Sequence, residues 1–185
     1  MGSLTRVMII RHAEKPGANG KPRGVDVNGK QRDGSLTVTG WQRAGALANL
    51  FARPSAAPLI TPSVIYASDP DQGSSRPLET VMPLSLKLSL KPIQSFAKGQ
   101  EADLARSVLS HQGAVLISWQ HERIINIASH LIASAPPSER LPSNWPDERY
   151  DIVWVLTPPA LFRRRWVFTQ LPQMLLAGDS AALIT

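Results

Sequence analysis

Three short apolar runs, each breaking off at a polar residue and each followed by a stretch of helical period, constrain this chain more than any other feature. Leu4 to Ile10 is nearly continuous in apolar side chains and stops at Arg11-His12. Ser63 to Ala67, with Val64 and Ile65 at its heart, leads into the turn-rich Ser68-Asp69-Pro70-Asp71-Gln72-Gly73. Ala114 to Trp119 ends at Gln120-His121. Runs of this length and continuity mark strands buried on both faces. Thr37 or Thr39 caps a helix whose apolar face is Trp41, Ala44, Ala48 and Phe51. Gly40 and Gly45 cost that helix stability, which points to close backbone packing. Ser74 or Ser75 caps a second helix, with Pro77 in a tolerated early position and Pro83 ending or kinking it. Glu101 to Leu109 reads as a short helix. Ile124, Ile125, Ala128, Leu131 and Ile132 give the helix after His121 its apolar side.

The remainder has a different texture. A strand is expected near Pro92 to Phe96, and Pro136 to Pro146 is a proline-rich connector. Ile152 to Leu156 and Leu161 to Thr169 read as two strands joined through Pro158-Pro159, an antiparallel hairpin. Strands alternating with helices imply a three-layer α/β fold. Its sheet is open, mostly parallel and flanked by helices, with the antiparallel C-terminal hairpin at an edge. A length of 185 residues suits one domain spanning 1–185. Apolar residues make up 43% and charged residues 18%, enough for a core and against disorder. The absence of cysteine removes disulfide scaffolds, thiol nucleophiles and Cys-type zinc sites. No apolar run reaches the roughly 18 residues of a membrane span. Val7-Met8-Ile9-Ile10 is too short for a signal-peptide core, and Arg6 spoils a myristoylation motif at Gly2. These features lead to the expectation of a soluble, cytoplasmic protein with no membrane partner.

Charge adds a second constraint. The net +6 is local: residues 1–34 hold seven basic groups against three acids, and Arg163-Arg164-Arg165 adds three more. Much of the basic excess lies in and beside the Gly-rich Pro16–Ser35 segment, read as a long surface loop of the kind that is functional or mobile. In an open α/β sheet, ligands bind beyond the carboxyl ends of the strands. Arg11 and His12 follow the first strand, Arg76 opens the helix after the second, and His121-Glu122 follow the Ala114–Trp119 strand. Two histidines and two arginines therefore converge on one edge. Arginine's planar fork and helix N-termini suit phosphate oxygens, and an imidazole placed among them can attack phosphorus.

Those residues carry a resemblance. Arg11-His12-Ala13-Glu14 resembles the Arg-His-Gly-Glu signature of the histidine phosphatase (phosphoglycerate mutase-like) superfamily. Leu36-Thr37 with Gly40 and Ala44 is similar to its Leu-Thr-x-x-Gly-x-x-x-Ala element, and Ser75-Arg76-Pro77-Leu78-Glu79-Thr80 to its Ser-Arg-Ala-x-Glu-Thr element. Val115 to His121 is similar to the strand that delivers its second histidine. The matches keep the family's order from residue 4 to about 133. The resemblance implies a metal-independent phosphatase without a cofactor, acting on phosphate monoesters through a phosphohistidine on His12. Arg11, Arg76 and His121 would bind the phosphoryl oxygens. The substrate is then a small phosphorylated molecule or a phosphoprotein.

The departures set expectations of their own. Ala13 replaces the family's glycine, which preserves the turn where φ stays negative. Glu122 directly follows the second histidine and becomes a candidate general acid, on the condition of a raised pKa. Its dipole-favoured place in the first helical turn is a structural reading of the same residue. Glu101 and Asp103 compete for the role, and Glu14 is a weaker choice. Glu79 reads as a packing or capping residue and Lys15 as solvated. His111 and His130 fall outside the motifs, as ordinary surface or packing residues. Arg163–Arg165 alternates faces if it lies in an edge strand, where charge deters aggregation. The tryptophans fall in apolar periods and read as core. Two alternatives within the fold are a non-catalytic phospholigand-binding protein and a mutase-type phosphotransferase. A nucleic-acid binder finds no motif and no aromatic-basic interleaving to support it.

Overall fold

The computed structural model describes residues 3–55, 57–70, 73–160 and 162–185. Gly2, the Asp71-Gln72 portion of the turn and Leu161 lie outside the described residues. The elements run β1 (Leu4–Arg11), α1 (Val38–Ala52), β2 (Val64–Ala67), α2 (Arg76–Leu88) and α3 (Glu101–Leu109). They continue with β3 (Gly113–Trp119), α4 (His121–Leu131), β4 (Ile152–Thr157) and β5 (Val167–Pro172). One five-stranded sheet has the order β2-β3-β1-β4-β5. β2, β3 and β1 are parallel, whereas β4 runs antiparallel to β1 and β5 antiparallel to β4.

The continuous apolar runs find their reason in this sheet. Successive strand side chains point to opposite faces, and both faces are covered. Val7, Ile9, Val115, Ile117, Trp154 and Leu156 pack with Leu104, Val108, Ile124, Ile127 and Leu131 of α3 and α4. Met8, Ile10, Leu116, Val153 and Val155 pack with Leu47, Phe51, Val81 and Leu84 of α1 and α2. The result is three layers with the hairpin at an edge, as the alternation of elements implies. Among the described residues, no helix is long and apolar enough to cross a membrane.

Several local expectations are corrected. α2 continues through Pro83 to Leu88. A proline inside a helix removes one hydrogen bond and crowds the carbonyl four residues back, together a loss of about 3 kcal/mol, and here Val81 and Leu84 on either side of it are core residues that hold the helix to the sheet. The Pro92–Phe96 strand shrinks to one bridge, Ile93 beside Tyr66, outside any named strand. β5 starts at Val167, so Arg163–Arg165 belong to an exposed loop and not to a strand. Pro158 and Pro159 carry no N–H, and the β4–β5 ladder starts beyond them at Thr157 and Val167. Thr37 caps α1, accepting from Gly40 N at 3.1 Å. Gly40 earns its place: a Cβ there would stand 2.6 Å from the Glu14 carbonyl oxygen, whereas one on Gly45 would meet nothing within 4 Å. Four of the five tryptophans (Trp119, Trp145, Trp154 and Trp166) are buried.

Candidate active site

The carboxyl ends of β1 and β3 lie side by side, with Arg11 opposite Trp119 and the His12 N–H donating to the Trp119 carbonyl at 2.9 Å. That pairing brings the residues after the two strands together. A cleft of about 220 Å³ opens there, lined by His12, Lys15, Arg76, Lys98, Gln120, His121 and Glu122, with Asp69 and Ser74. Of the residues singled out in the sequence, His12, Arg76, His121 and Glu122 share its wall. Arg11 does not.

His12 is 3% exposed. Its Nδ1 lies 2.8 Å from the Ala13 carbonyl. A carbonyl only accepts, so Nδ1 carries the proton and the lone pair sits on Nε2. Burial, with the charges of Arg11, Arg76 and Lys15, pushes the His12 pKa down to about 3, although the Ala13 bond opposes the shift. The ring is therefore neutral at pH 7, the form a nucleophile requires. The turn is fixed from outside as well: the Thr80 hydroxyl accepts from Ala13 N at 2.8 Å and donates to the Arg76 carbonyl at 2.7 Å. Ala13 is not among the residues with positive φ, so its methyl is tolerated where the signature has glycine.

Arg76 is held by the end of the long loop, with Nη2 donating to the Asp33 carbonyl at 2.6 Å and Nε to that of Ser35 at 3.4 Å. Glu79, 4% exposed, fixes the same loop by accepting from Ser35 Oγ at 2.8 Å and Leu36 N at 2.9 Å. The supporting role expected of Glu79 is thus directed at Arg76. His121 begins α4, and its pKa is lowered, first by burial and then by the charge of Arg11. Its Nδ1 is 3.0 Å from Glu122 Oε2, yet it has no hydrogen-bond partner by angle, so the contact is one of proximity only.

The carboxylates resolve against the sequence expectations. Glu122 does not meet its condition: burial pushes its carboxyl up, but the hydrogen bond from Lys98 and the charge of His121 bring it below the usual value. Glu101 is buried in a structural clip, accepting from Gly99 N at 3.0 Å and Trp119 Nε1 at 3.2 Å. Asp103 lies on the surface of α3, paired with Arg106 at 2.6 Å. Glu14 accepts from Arg43 Nε at 2.8 Å. His111 bonds the Tyr66 hydroxyl at 2.6 Å and His130 is exposed, both away from the cleft.

Arg11 faces residues 146–150, where the proline-rich connector ends. Its side chain is 0% exposed and stacks 3.8 Å above the Tyr150 ring. Nη1 donates to the carbonyls of Pro146, Asp147 and Arg149, and Nη2 to Asp147 Oδ1 at 3.1 Å. Lys15 also reaches Asp147, at 2.9 Å, and is a member of the site and not a solvated bystander. Topology explains the overhang. β4 is antiparallel to β1, so its first residue and the segment preceding it lie at the end of the sheet where β1 terminates. Asp147 and Lys98 were missed because their placement depends on non-local packing, whereas Gln120, between the end of β3 and His121, lay within reach of the strand-end rule. The proline-rich connector running up to Pro146 was the available signal.

No family model and no curated protein matches the sequence. Solved structures do. A mycobacterial glucosyl-3-phosphoglycerate phosphatase is 15% identical with a TM-score of 0.50, covering 89% of this chain and 96% of its own. The protein histidine phosphatase SixA, solved with tungstate, is 15% identical with a TM-score of 0.53, covering 91% and 97%. A Nakamurella multipartitia protein described as a SixA phosphohistidine phosphatase is 17% identical with a TM-score of 0.52, covering 83% and 84%. The chain has the histidine phosphatase fold. Within the histidine phosphatase fold, the cleft sits where the parallel strands β1 and β3 end, the place the sequence pattern selected.

Proposed function

We propose that the protein is a phosphatase that hydrolyses phosphate monoesters through a phosphohistidine on His12. The observation that carries this reading is the buried, neutral His12, held as the Nδ1–H tautomer on the wall of a cleft that Arg76 and His121 share. Nε2 attacks phosphorus, the P–O bond to the leaving group breaks, and the leaving oxygen takes a proton from water or from the medium. Water then attacks the phosphohistidine, releasing inorganic phosphate and restoring neutral His12. Arg76 and His121 hold the phosphoryl oxygens and offset the charge that develops in each transition state. Arg11, expected from the sequence to join them, is instead buried off the cleft wall and supports the site through the carbonyls of Pro146, Asp147 and Arg149.

The size of the cleft supports a substrate whose phosphoryl group enters while the remainder stays outside. A phosphorylated small molecule or a phosphoprotein satisfies that geometry, and two of the structurally similar proteins are, by their names, a glucosyl-3-phosphoglycerate phosphatase and a protein histidine phosphatase. The test is a screen of aryl and alkyl phosphate monoesters in the presence of a chelator, with His12→Ala as control. Phosphate release by the wild type and its loss in the variant are expected. Chelator-sensitive activity, or full activity in His12→Ala, sinks the reading.

A further inference from the structure

One carboxylate oxygen meets three of the site's cationic or hydrogen-bonding groups. Asp147 Oδ1 lies 3.1 Å from Arg11 Nη2, 2.9 Å from Lys15 Nζ and 3.3 Å from His121 Nε2. A carboxylate oxygen is the nearest protein analogue of a phosphoryl oxygen, and this one sits on Lys15 and His121 of the cleft wall and on buried Arg11. The Asp147 side chain is also 68% exposed, so open solvent lies beside it. The Lys15 hydrogen bond, with the charges of Arg11 and His121, holds its carboxyl below the usual range. It is an anion at neutral pH.

We propose that Asp147 is a specificity-determining residue: a resident anion that a phosphoryl group must displace, and that then faces the leaving group at the mouth of the cleft. The proposal rests on the phosphatase reading of this site. Displacement cannot carry the carboxylate far. Its side chain has two rotatable bonds, and the main chain around it is fastened to buried Arg11 through the carbonyls of Pro146, Asp147 and Arg149. Two consequences follow from that tether. Every oxyanion binds more weakly than it would without the competitor. Among substrates, leaving groups that bear a cation are favoured over those that bear a carboxylate, because the displaced Asp147 attracts the first and repels the second.

The experiment compares wild type, Asp147→Asn and Asp147→Ala. Calorimetric titration with inorganic phosphate is expected to give binding about two- to fivefold tighter in both variants, the size of effect an exposed ion pair supports. The ratio of kcat/KM for phosphoethanolamine to that for phosphoglycolate is expected to fall by a similar factor. Unchanged or weaker phosphate binding in the variants overturns the proposal, because it makes Asp147 a support for Arg11 and not a competitor. An unchanged substrate ratio overturns its specificity role. Absence of phosphate binding to all three proteins is a different failure, that of the site reading itself.

Discussion

The first two thirds of the chain and its last third reach the same cleft by different routes. His12, Arg76 and His121 arrive by a local rule: each follows a parallel strand directly or opens the next helix, and β1, β3 and β2 hold those ends adjacent. Asp147 and Tyr150 arrive because β4 reverses direction against β1, which swings the segment ahead of it over Arg11. On the proposed reading, the parallel part supplies the groups for chemistry, and the antiparallel part supplies the groups that cover and modulate them. A site built this way separates catalysis from access.

The largest effect that distinguishes the two parts is expected at His12. His12→Ala should lower turnover by about 10³-fold or more, as loss of a covalent nucleophile does, in steady-state assays with an aryl phosphate. Arg76→Ala should cost about 10² in kcat, the scale of one lost oxyanion donor. If either loss were matched by substitutions in the 146–150 segment, the division between the two parts would fail.

The antiparallel part has its own anchor. Arg43, 4% exposed, joins Glu14 at 2.8 Å to Asp179 at 2.7 Å, and donates to Gln173 at 3.0 Å. Breaking a buried pair by removing one partner costs about 3 kcal/mol or more. Arg43→Ala should lower the unfolding free energy by that amount in denaturant titration. A change below about 0.5 kcal/mol would mean that the C-terminal segment is not fastened through Arg43 to the turn that follows β1.

pH tests the His12 environment. Its folded pKa of about 3 lies below the ordinary 6.5, so the neutral ring stabilises the fold above pH 6.5. That contribution is lost progressively as pH falls from 6.5 toward 3. Wild type should lose more stability across this window than His12→Asn, and the acid limb of kcat/KM should lie well below 6.5. A limb at 6.5 would place His12 in water and not in a buried wall. The smallest effect is assigned to Asp103→Asn, where turnover should stay within about twofold and stability within about 0.5 kcal/mol, as for other surface changes.

The difference between the two routes also explains what the sequence made legible. β1, β3 and the short helix Glu101–Leu109 were readable because continuous apolar runs and a 3.6 period are local properties of the chain. His12, Arg76 and His121 were readable because strand ends are local too. Arg11's engagement with Asp147 was not, since it spans 136 residues and depends on the direction of β4. The environment of Glu122 was equally hidden. Lys98, 24 residues away, reverses the effect that burial alone would have on it. The start of the final strand is not legible in the sequence, because the ladder begins only at Thr157 and Val167, beyond the donor-less Pro158-Pro159.

The central claim is that phosphorus passes through His12. Rapid acid-free quenching of the enzyme during turnover of a ³²P-labelled phosphomonoester, followed by peptide mapping, tests it most directly. The account predicts a label on His12 that is lost in acid, stable in alkali and absent from His12→Ala. An acid-stable label, a label on another residue, or turnover that continues in His12→Ala would contradict it.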